Sequence, residues 1–133
     1  MLAIAMVLAA LAALLHLGIF ALEVFAWDTP RGRATFKMTP ERARATAELA
    51  YNQGFYNLFL ALVTGCGVVL TAADLAGAAA GAGPALVYAG AGSMTLAALV
   101  LVTRNRLMAR AAAVQGALPA LSVVLLTVAL LAG

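Results

Sequence analysis

One histidine and one glutamate stand seven residues apart in the first long apolar stretch, and no other histidine or acid lies inside any such stretch. Seven residues are two helical turns, so His16 and Glu23 share a face, about 10 Å apart along the axis. Phe20 and Trp27 continue that stripe. A second polar set, Tyr51, Asn52, Gln53, Tyr56 and Asn57, begins the second stretch. From Asn52 to Asn57 it opens an arc of about 140°. Gln115 adds an amide from the last stretch. The inventory suits two kinds of chemistry. Glu23 and His16 can exchange protons, and the amides and phenols can hydrogen-bond a polar head group or orient a substrate.

Other chemistries lack their residues. One His, one nearby acid and a remote Cys66 are too few for a closed zinc site. Ser93 and Ser122 lie far from the only His, so no Ser-His-Asp set assembles. There is no phosphate-binding loop and no dinucleotide fingerprint. No metal and no cofactor is expected. Cys66 has no second cysteine to pair with. The net charge of +3 does not point to nucleic acid, because the basic residues flank apolar stretches and are better placed as anchors and contacts for anionic lipid head groups.

The elements that must position these side chains follow from composition. The 133 residues are 65% hydrophobic and 10% charged, well outside the range of a soluble domain. Four apolar runs, about residues 2–27, 51–70, 84–102 and 111–132, each approach the length needed to cross a bilayer. The expected fold is all-α: one membrane domain over residues 1–133, a four-helix up-down-up-down bundle with a cytoplasmic extension of the second helix. All eight Lys and Arg residues fall on two connections, around 31–44 and 104–110. The positive-inside rule then puts Gly32 and Asn105 in the cytoplasm and both termini outside, in the plasma membrane of the cell. The bias is too one-sided for dual topology. The first basic residue follows the first apolar core, so a cleaved signal peptide is not expected.

The first run ends at Asp28-Thr29-Pro30, and 31–38 reads as a basic loop. Thr39-Pro40-Glu41 carries the signals of a helix start, predicting one charged amphipathic helix over 40–50 that leads into the second run. The Ala/Gly-rich segment 71–83, with Asp74, reads as the outer turn. Ala89, Ser93 and Ala97, at spacing four, predict a close helix contact within the bundle rather than a dimer seam.

With that topology, Glu23, Asn52, Gln53, Asn57 and Gln115 all fall in the cytoplasmic half, and His16 lies near mid-membrane. The combination predicts a polar pocket open to the cytoplasmic leaflet and floored by His16. Each member also has a plainer reading. Asn, Gln and Tyr can serve as interhelical glue, at about 0.6 kcal/mol each. Glu23 can snorkel to Arg31 or Arg33, and His16 can be a satisfied packing residue.

The chain also resembles the DUF1304 family of small bacterial and fungal membrane proteins. The resemblance rests on His16-Leu-Gly-Ile-Phe-Ala-Leu-Glu23 with Trp27, on Thr29-Pro30-Arg31-Gly32-Arg33 and Phe36, on Asn52-Gln53-Gly54-Phe55-Tyr56-Asn57, and on Val114-Gln115-Gly116 with Pro119. It covers roughly residues 16–120. That family has no established function, so the resemblance implies a fold and a set of residues, not an activity. Three functions stay open. The first is a protein that binds or transports a small polar or amphiphilic molecule, with proton coupling through Glu23 and His16. Its site would be His16, Glu23, Trp27, Asn52, Gln53, Tyr56, Asn57 and Gln115, and its partners membrane lipids and a small-molecule or lipid ligand. The second is an enzyme of the isomerase type acting on a lipid or isoprenoid. The third is a structural or assembly subunit. Nothing in the sequence specifies an oligomeric state.

Overall fold

Four stretches this apolar can cross hydrocarbon only if each satisfies its own backbone hydrogen bonds, and the helix is the single-segment way to do so. The computed structural model describes residues 1–73 and 81–132. It contains four long helices: α1 (Leu2–Phe25), α4 (Ala47–Ala72), α5 (Ala82–Arg104) and α6 (Ala109–Ala132). All four are long and apolar enough to span a membrane. Segment 74–80, which includes Asp74 and most of the expected outer turn, lies outside the described residues. The helices form a four-membered ring. α1 packs on α4 and α6, α5 packs on the same two, and the diagonal pair α1 and α5 barely meet.

The basic connection after α1 is more ordered than a loop. Residues 31–38 were expected to be irregular, but Pro30–Phe36 forms a short helix, α2. Thr29 caps it by accepting the Gly32 N–H, with Pro30 at the first position. The proline that ends one helix therefore starts the next. Lys37 closes α2 in the left-handed conformation, at φ 52°. The predicted start at Thr39-Pro40-Glu41 is present as α3 (Pro40–Ala45), where Thr39 accepts the Arg42 N–H. The extension is not one helix over 40–50, however. Thr46 leaves helical geometry at φ −114°, ψ 10° and separates α3 from α4.

Trp27 explains the break. Its indole N–H donates to the Ala43 carbonyl at 3.1 Å and to Thr46 Oγ1 at 3.3 Å, and its ring lies 4.7 Å from that of Phe36. One side chain thus ties the end of α1 to α2, α3 and the head of α4. Gly32 is part of the same knot. A Cβ there would run into the backbone of Ala26 and Trp27, so only glycine lets α2 fold back this tightly.

The opposite end of the bundle is closed by small residues. Ala5, Met6 and Ala9 of α1 meet Val87 and Ala91 of α5 and Leu126 of α6 in one buried cluster. Gly67 of α4 lies so close to α5 that a Cβ would sit 2.7 Å from the Val87 nitrogen and 2.8 Å from the Gly83 oxygen. The contact expected of Ala89, Ser93 and Ala97 is not made by those residues. All three are exposed, and α5 turns Gly83, Val87, Gly90, Met94 and Ala98 inward instead. The glycines allow the closer approach, and the helix rotates to bury them. Pro119 stays within α6, buried at the helix contact, where neighbouring helices support the interrupted ladder. Asn105 is more than a solvated loop residue, since its side chain caps a 3-10 turn over Arg106–Met108.

Candidate functional site

The site is built where α4 approaches α1 most closely at the basic end. Gly54 makes this approach. A Cβ on it would lie 2.6 Å from Val24 Cγ2 and 3.2 Å from Glu23 Cβ. One turn further along α4, Asn57 meets Glu23. Its Nδ2 donates to Glu23 Oε2 at 2.7 Å and to the Gln53 carbonyl at 3.2 Å. Both amide hydrogens are used, so the side chain is held in one orientation. Glu23 is only 9% exposed. Its second oxygen, Oε1, has no hydrogen-bond partner among the described residues, yet no buried side-chain polar atom is left unsatisfied. Oε1 therefore keeps access to space outside the packed helices.

Glu23 also lines an open pocket of 400 Å³, together with Val24, Phe25, Trp27, Asp28, Thr29, Ala47 and Tyr51. Three of its eight lining residues are aromatic, and its charged lining groups are both carboxylates. The basic side chains nearest in sequence go elsewhere. Arg33 pairs with Asp28 at 3.0 Å, and Arg44 approaches the same carboxylate at 3.9 Å. Glu23 therefore has no cationic partner among the described residues, and it does not snorkel to Arg31 or Arg33.

The other sequence candidates divide by helix face. His16 is 2% exposed, and its Nδ1 contacts the Ala12 carbonyl one turn back, at 2.9 Å. It shares the inward face of α1 with Glu23 but does not line the pocket. Trp27 lines it and is fixed by the bonds to α3 and Thr46. Asn52, Gln53 and Tyr56 are exposed on α4 and do not line the pocket. Gln115 is half-buried on α6, with no side-chain hydrogen bond among the described residues. Of the eight candidates, Glu23, Asn57 and Trp27 are brought together. Sequence reasoning passed over Gly54, Asp28 and Ala47. Gly54 had a signal, standing in the middle of the Asn-Gln-Gly-x-Tyr-Asn block where a helix would otherwise avoid glycine.

A second opening lies along the same α1/α4 seam, further from the basic end. It is an apolar groove of 660 Å³ whose walls include Ala13, Leu14, Leu17, Leu62, Gly65 and Val69.

Four packed apolar helices with a polar pocket at one end define a small helical membrane bundle. The chain belongs to the DUF1304 family, described as proteins of unknown function, whose family model matches residues 10–127. No curated protein and no solved structure matches it significantly.

Proposed function

We propose that this protein binds an amphiphilic small molecule at the Glu23 pocket, with the polar part of the ligand against Glu23 and its apolar part facing lipid. One observation carries the reading. A carboxylate is kept inside an apolar helix, oriented by Asn57, and left with one oxygen open to an aromatic pocket. A carboxylate within hydrocarbon is costly unless something uses it. A purely structural carboxylate would have both oxygens paired. The isomerase reading has less support, because His16 is directed to Ala12 and does not line the pocket. Glu23 is the group through which binding would be coupled to a proton.

The direct test is native mass spectrometry of the protein released from lipid nanodiscs. Wild type should retain one amphiphile that Ala47→Phe, which puts a ring into the pocket and keeps both Glu23 and Asn57, does not. Equal retention by both would overturn the reading.

The proposal includes an orientation: the basic end faces the cytoplasm across the plasma membrane, with both termini outside. Gly32 cannot carry a reporter, because its neighbours leave no room for a Cβ. Exposed Thr35 and Gly81 can. In a Cys66→Ala background, an impermeant thiol reagent applied to intact cells should label Gly81→Cys and spare Thr35→Cys. The reverse pattern would invert the orientation.

A further inference from the structure

We infer that the ligand's polar group is an organic cation, an amine or quaternary ammonium, and that its aliphatic tail lies in the apolar groove of the α1/α4 seam. This inference rests on the reading of the Glu23 pocket as an amphiphile site. Three observations converge on it. The first is charge. The basic end carries every Lys and Arg of the chain, yet none lines the pocket, and the two nearby ion pairs both end on Asp28. Glu23 is left as the uncompensated charge, with Oε1 open. An anionic head group would meet the Glu23 carboxylate without a counter-ion, whereas a cation would supply one.

The second observation is the wall. Phe25, Trp27 and Tyr51 line the pocket, and aromatic faces attract ammonium groups that have shed their water. Trp27 is held by its bonds to Ala43 and Thr46, and the Tyr51 ring packs 5.1 Å from that of Phe55. The third is alignment. On α1 the groove uses Leu14 and Leu17 and the pocket uses Val24. Leu17 and Val24 share one side of the helix, because seven residues are close to two full turns. On α4, Leu62 and Tyr51 fall on a common side by the same measure. Head pocket and tail groove therefore lie along one seam, with the Phe20–Phe55 ring contact crossing it between them.

Trp27 is the only tryptophan, so its fluorescence reports on the pocket directly. Full-length protein in dodecyl maltoside micelles is titrated with dodecyltrimethylammonium and, separately, with dodecyl sulfate. The cation should give a saturable change in Trp27 emission at a concentration at least tenfold below that needed for the sulfate. Glu23→Gln should weaken the cation response at least tenfold, and Tyr51→Leu severalfold. A sulfate response as tight as the cation's, or a cation response unmoved by Glu23→Gln, would overturn the cationic assignment while leaving an amphiphile site in place. No saturable response to either probe would overturn the amphiphile site itself. If Glu23→Gln fails to fold, the comparison of the two probes on wild type and Tyr51→Leu decides the question alone.

Discussion

The two ends of the bundle solve the same packing problem in opposite ways. At the end formed by Ala5, Ala9, Val87 and Leu126, helices are drawn together until backbone meets backbone, and the polar groups close on each other. Ser122 Oγ donates to the Ala5 carbonyl at 2.8 Å, and Tyr88 pairs with Thr127 at 2.8 Å. At the basic end, Gly54 packs on α1 and Gly116 packs on Ala98 of α5, yet a pocket stays open beside Glu23. Glu23 bonds across to Asn57 there, and Trp27, which lines the opening, clasps the α2–α3 connection. A membrane bundle has little hydrophobic drive to hold helices together, so tight contacts between small residues must do so. Contacts at Gly67, Gly83 and Gly90 on one side, and at Gly54 and Gly116 on the other, hold the fold while the basic end keeps its buried carboxylate.

The contrast can be broken most severely at the closed end. Gly67→Ala places a methyl against backbone atoms of α5 and should cost about 3 kcal/mol. Gly65→Ala, two positions earlier with open space around it, should be neutral or stabilising by up to about 1 kcal/mol. Differential scanning in detergent measures both, and equal melting temperatures would remove the basis for a closed end.

A smaller loss is expected at the open end. Asn57→Leu strands Glu23 without its donor and should cost about 1–3 kcal/mol. Asn105→Leu removes only an exposed cap and should cost about 1 kcal/mol or less. If both variants melt alike, the Asn57–Glu23 bond is not a specific contact.

Trp27→Phe keeps an aromatic ring beside Phe36 but loses the indole donor, for about 1 kcal/mol. Its signature should be local. Hydrogen exchange should quicken in α2 and α3 while the closed end keeps its protection. Uniform quickening would show that the clasp supports the whole bundle rather than its rim.

The least effect on stability is expected from Glu23→Gln, under about 1 kcal/mol, because the amide oxygen can still accept from Asn57. Its effect on ligand retention should be the greatest of the series. Unchanged retention alongside a large melting shift would reassign Glu23 to the scaffold.

The sequence by itself determined four apolar helices, their approximate limits, the helix start at Thr39-Pro40 and the gathering of basic residues at one end. These follow from run length, local capping chemistry and charge placement, which need no tertiary partner. It also placed Glu23 and Asn57 in the same half of the bundle, since depth along a helix is a matter of counting. Which side each helix presents to its neighbours was decided only by the tertiary structure. Helices that are apolar all round carry no strong amphipathic signal, so rotation is set by where glycines permit contact. That is why Gly83 and Gly90 displaced the Ala89-Ser93-Ala97 stripe, and why Asn52, Gln53 and Tyr56 turned outward while Asn57 turned in. It is also why His16, on the same face as Glu23, bonds along its own helix instead of reaching the pocket. The break at Thr46 was equally hidden, because its cause is an indole nineteen residues away.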